Sequence, residues 1–102
     1  MTTHTQHLTL TPDSAQRLAN LCGRLNEHIH QIESMLAVKI RQRGNEFQLS
    51  GSQQAITNGS NILHSLYAAT EQGNPLSPSL VHLALQEIMS ATEAEQTVET
   101  TS

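Results

Sequence analysis

The apolar stripe that runs from Leu18 to Leu36 and breaks at Gly23 constrains this chain more than any other feature. Leu18, Leu21 and Cys22 fall at helical spacing before the glycine, and Leu25, Ile29, Ile32 and Leu36 resume it afterwards, so two segments share one buried face. Gly23 is the expected hinge. Glycine reaches φ > 0 without a Cβ penalty, and Asn26 is placed to accept the orphan amides of a new helix as its N-cap. Residues 23–26 therefore read as a turn between two short helices. The competing reading is one long helix with a tolerated glycine, because a lone Gly costs a helix interior only about 1 kcal/mol.

A core for this helix pair has to come from aliphatic residues. Aromatics make up 2% of the 102 residues and hydrophobic residues 36%, so Leu, Ile, Val and Ala from several amphipathic elements must supply it. Residues 6–91 are the expected folded unit, a single small domain. Residues 1–5 are polar and expected to be mobile, and 92–102 are acidic and Thr-rich, expected to be a disordered tail or linker.

Within the folded unit, His7, Leu8, Thr9 and Leu10 alternate as a short strand does, with Leu8 and Leu10 on one face. Thr11 before Pro12, with Asp13 in the first turn, predicts a helix from Pro12 to Cys22. The second helix is expected from Glu27 to Leu36, with Ile29, Ile32 and Leu36 inward and His28, His30, Gln31 and Glu33 largely outward. Residues 38–43 and 46–50 alternate with period two around the turn residues Gly44 and Asn45, which predicts an antiparallel hairpin. Its core face carries Val38, Ile40, Phe47 and Leu49. Ser52 offers the N-cap of a third helix ending near Gln72, and Ser77 followed by Pro78 opens a last helix bearing Leu80, Val81, Ala84, Leu85 and Ile88.

Composition excludes several function classes. The single cysteine, Cys22, rules out an intrachain disulfide framework, and no Cys/His spacing resembles a zinc site, which points to a reducing cytoplasm. No stretch is long and apolar enough to span a bilayer, and no secretion signal opens the chain, so a soluble protein without membrane partners is expected. Six histidines invite a metal, yet His28 and His30 are two apart on a helix and cannot face one ion together. No nucleophile, base and orienting group can be assembled, so no catalytic residue, no bound cofactor and no intrinsic enzymatic activity are expected. Of the net charge of −4, Glu93, Glu95 and Glu99 contribute −3, leaving −1 for the folded part. Any nucleic-acid role must then rest on a local site.

The element order, with Gly23, Asn26, Ile29 and Ile32 at three-residue spacing and then Ala37, Val38, Lys39 and Ile40, resembles the type I KH domain. Its hallmark is Gly-x-x-Gly between two helices, and the second glycine is Asn26 here. More closely, Leu21-Cys22-Gly23, Asn26-Glu27, Ile32-Glu33, Arg43-Gly44-Asn45, Gly51 and Val81-His82-Leu83-Ala84 resemble the N-terminal region of bacterial PhoH-like proteins over about residues 6–90. The resemblance implies an α+β fold of order β-α-α-β-β-α. A three-stranded antiparallel sheet would carry helices on one face, plus an extra C-terminal helix. It also implies a module set before a P-loop ATPase domain that binds ATP and Mg, linked to RNA metabolism and to a YbeY-type endoribonuclease. No glycine here lies in a phosphate-cradling P-loop, so the chain looks like that module alone, ending inside a linker.

By the same resemblance, Gly23, Arg24, Leu25 and Asn26 would hold the backbone of single-stranded RNA, and Ile29, Val38 and Ile40 would floor a groove for bases. Lys39, Arg41 and Arg43 form the only basic stripe, pointing away from that groove. Protection of a sheet edge is the favoured reading of the stripe and auxiliary RNA contact the lesser one. A protein-interaction or oligomerisation module that keeps the fold without touching RNA is the rival to RNA binding. The last helix either caps the domain's own helices or presents an interface to the ATPase domain, a second copy or another protein.

Overall fold

Alternation in residues 38–50 becomes a hairpin in the computed structural model, which describes residues 3–73 and 76–101, with 91–101 described by their backbone alone. Strand β2 (Lys39–Arg43) pairs antiparallel with β3 (Glu46–Gly51), and Gly44 takes φ 60° in the two-residue connection, as primed hairpin turns require. Strand β1 (His4–Thr9) adds to the other side of β3, giving the order β1-β3-β2. The strand begins three residues before the expected His7. Polar residues His4, Thr5 and Gln6 show no periodicity of their own; they are extended because β3 pairs with them as far as Gly51.

Helices α1 (Ala15–Cys22) and α2 (Glu27–Leu36) flank a single 3-10 turn (Arg24–Asn26), so the stripe does break at Gly23. Helix α1 starts later than expected from Pro12. Ser14 is its N-cap, with an extended backbone and a side chain that accepts from the Arg17 amide at 3.3 Å, while the Thr11–Pro12 peptide is cis. Helix α3 (Gln53–Ala69) is capped as expected by Ser52, which accepts from the Ala55 amide at 3.1 Å, and ends through a 3-10 turn (Thr70–Gln72) at left-handed Gly73. Helix α4 (Pro78–Thr101) is capped by Ser77 at the Leu80 amide, and its backbone stays helical beyond the boundary expected at residue 91. Ala94, Glu95 and Gln96 are good helix formers there although they carry no apolar repeat.

The core lies between the sheet and the helices. Val38, Ile40, Phe47 and Leu49 are buried together on the inner face, meeting Leu18, Leu21, Ile32, Ile56, Ile62 and Leu63 from the helices. Helix α4 packs across α2 and α3 and buries Val81 and Leu85 completely. Arg17 ties α1 to the end of α3: its guanidinium lies 4.3 Å above the Tyr67 ring and donates to the Thr70 hydroxyl and the Tyr67 carbonyl. Where α3 crosses the sheet it carries Gly59, and a methyl there would sit 3.4 Å from Leu49 and 3.6 Å from Val38, ordinary contact. Gly59→Ala is accordingly expected to raise stability by about 0.5–1 kcal/mol in urea unfolding, because the helix gains propensity without overpacking.

Candidate nucleic-acid interface

Residues 23–26 form the exposed tip between α1 and α2. Gly23 has φ 77° and ψ −177°, a combination essentially reserved for glycine, and its amide closes α1 onto the Ala19 carbonyl at 3.0 Å. Leu25 (φ 54°) and Asn26 (φ 58°) are both left-handed. In this conformation Asn26 does not cap α2 with its side chain, contrary to the sequence expectation, since an N-cap needs an extended backbone. Its amide instead donates to the Gly23 carbonyl at 3.3 Å. Arg24 is exposed and has no hydrogen-bond or ion-pair partner among the described residues, and Leu25 is 92% exposed, the most solvent-facing large apolar residue of the described chain. Two successive left-handed non-glycine residues store strain of about 1–2 kcal/mol each, and such strain gathers at functional sites.

His28 holds this tip in place, and the expectation that it faces outward is wrong. The side chain is 2% exposed, and its Nδ1 lies 3.1 Å from the Leu21 carbonyl, so Nδ1 carries the hydrogen and satisfies an orphan acceptor at the end of α1. The ring fills the space under Gly23, where no Cβ would fit. Nε2 is buried with no hydrogen-bond partner and lies 3.7 Å from the Glu27 carboxylate. Cys22 is buried beside this turn, and burial pushes its thiol up from the ordinary range, away from nucleophilic use.

Beyond the tip, α2 and β2 bound a wide shallow cleft of about 640 Å³. Ile29, Val38 and Ile40, expected as its floor, are 4%, 3% and 8% exposed; they belong to the core and offer little apolar surface to a base. His30, Glu33, Ser34 and Lys39 stand on the cleft wall together with Ala37 and Val38. Glu33 Oε2 accepts from the Ile40 amide at 2.9 Å and its other oxygen meets His30 Nδ1 at 3.2 Å. A carboxylate therefore occupies the outward-facing amide of the β2 edge. Sequence reasoning missed this contact, which joins residues on separate elements with no shared motif.

Lys39, Arg41 and Arg43 alternate onto the outer sheet face; Arg41 and Arg43 lie away from this cleft, whereas Lys39, at the start of β2, also borders it. Among the described residues no three His, Cys, Asp or Glu side chains are grouped to hold a metal ion, and no helix is long and apolar enough to cross a membrane.

No family model matches the chain. Among solved structures it is similar to a protein of unknown function from Aeropyrum pernix, at 15% identity and a TM-score of 0.69, covering 96% of this chain and 52% of that one. It is also similar to Dim2p from Pyrococcus horikoshii OT3, at 15% identity and a TM-score of 0.66, covering 83% of this chain and 49% of that one. These likenesses establish the fold alone. The α+β arrangement, a three-stranded antiparallel sheet with helices, is consistent with a KH-like fold. The chain spans about half the length of each of these two proteins.

Proposed function

We propose that this chain is an accessory nucleic-acid-binding module, a type I KH-like domain of the PhoH-like kind, that holds single-stranded RNA at residues 23–26. The strained, exposed tip, with Arg24 unpaired among the described residues, carries the reading. Arg24 offers a fork of donors to a phosphate, and Leu25 offers apolar surface beside it. The element order and the likeness to Dim2p support it. On this reading the module orients RNA for an attached ATPase domain, which would supply ATP and Mg chemistry, in a cytoplasmic protein that works with a YbeY-type endoribonuclease. With one guanidinium at the tip the affinity is weak and falls with salt.

Changing Arg24 and Leu25 together to Asp is expected to weaken binding of a short RNA at least tenfold, read by NMR titration, with the amide spectrum otherwise unchanged. A folded double variant that binds as the parent does removes the tip from RNA binding.

The second reading, a protein-interaction or oligomerisation module, is favoured by Glu33, whose carboxylate repels phosphate and occupies the β2 edge that a base would pair with. Light scattering separates the self-associating form of it: a monomer at high concentration leaves only heterologous partners.

A further inference from the structure

The helices leave one whole face of the sheet uncovered, and its composition is one-sided. Register places three rungs across β1, β3 and β2 on that face: Thr9, Glu46 and Arg43; His7, Gln48 and Arg41; Thr5, Ser50 and Lys39. Every one of these side chains is polar. Three of the chain's five Lys and Arg residues stand here, and among the described residues none of the three has an ion pair or side-chain hydrogen bond. Arg17, by contrast, is consumed within the fold. With Glu46 the only carboxylate, the face carries a formal +2 on a chain of net −4.

The face is hollowed at its hairpin end. A hollow of about 550 Å³ is lined there by His7, Thr9, Arg41, Arg43, Glu46 and Gln48. Strands lie about 4.8 Å apart, so His7 and Arg41 face each other across about 10 Å, with Gln48 between them on the floor. Edge protection accounts for cations on β2, but not for hydrogen-bonding side chains carried across all three strands.

The geometry points to this open face as a second binding site, for the phosphodiester backbone of a nucleic-acid strand. Arg41 and Arg43 take phosphates, and His7, Thr9 and Gln48 bond to sugar and phosphate oxygens. The rungs of this face carry no aliphatic side chain and, apart from the His7 imidazole, no ring, so the face lacks the apolar anchor that a protein partner needs and the row of stacking platforms that base readout needs. Binding is therefore backbone-directed, salt-sensitive and independent of base sequence. The site lies on the opposite side of the sheet from residues 23–26 and stands without them.

The test is an NMR titration of the full chain with a twelve-residue oligouridylate at low salt. Shifts are expected at His7, Thr9, Arg41, Arg43 and Gln48, and they should persist when Arg24 and Leu25 are both changed to Asp. Arg41→Gln with Arg43→Gln should weaken this binding about tenfold and flatten the logarithmic salt slope by about 1.4, as loss of two phosphate contacts to a single strand requires. Both positions are exposed, so the fold survives, and Glu46→Gln supplies an independent gain: binding tightens. Shifts confined to residues 22–29 would overturn this site while leaving the tip intact, and the absence of any shift would overturn both. A glutamine pair with parental affinity and salt slope, or tighter binding of an oligoglutamate peptide than of RNA, would overturn the backbone assignment.

Discussion

Gly23→Ala is expected to destabilise the domain by about 4 kcal/mol in urea unfolding. Two costs add. The backbone at φ 77° and ψ −177° lies where an L side chain is strained by about 1–3 kcal/mol. The new Cβ would also stand 2.7 Å from Nδ1, 2.8 Å from Cγ and 2.9 Å from Cε1 of His28. That ring cannot swing aside, since it is buried and bonded to the Leu21 carbonyl, and overpacking of such a site costs about 1–3 kcal/mol more. A double-mutant cycle separates the two: with His28→Ala present, Gly23→Ala should cost only the backbone part. A loss below 1 kcal/mol for the single variant would mean that the ring does not support the tip.

Leu85→Ala is expected to cost about 3 kcal/mol, whereas Leu83→Ala, two residues away and exposed, should change stability by less than about 0.5 kcal/mol. Leu85 and Val81 are fully buried against α2 and α3, so the alanine leaves a cavity in the centre of a three-helix contact. Of the two roles open to the last helix, this contact favours capping of the domain's own core. Equal, small effects at both positions would instead make α4 a loosely docked arm. Chemical unfolding monitored by circular dichroism reads both.

Elements with their own periodicity were legible from the chain. The hairpin follows from alternation around Gly44 and Asn45, and α2 from Ile29, Ile32 and Leu36, whose observed span Glu27–Leu36 matches the expected one. Caps at Ser52 and Ser77 were legible because each cap is local chemistry within three residues. What depends on distant partners was not. His28 looks like a surface residue by its neighbours, and only the cavity that Gly23 leaves above it makes burial possible. Pro12 imitates a helix start, yet Ser14 two residues later supplies the hydroxyl that the α1 amides use. The tip at residues 23–26 was legible as a turn, although the left-handed Asn26 cannot act as the cap its residue type suggests. On the open face, Arg41 and Arg43 were visible as a stripe. Gln48 joins them through the hairpin itself, seven residues from Arg41, whereas His7 joins them only through the pairing of β1 with β3, segments more than thirty residues apart.

The bond from Glu33 to the Ile40 amide also bears on how this chain behaves when crowded. A three-stranded sheet invites a fourth strand, from a neighbour or from a misfolded copy, and such growth begins by exchanging main-chain bonds along a free edge. On β2 the side chain of α2 already holds the Ile40 donor. An incoming strand would have to expel a carboxylate to bond at Ile40, so a continuous ladder along this edge meets a barrier set by one helix residue.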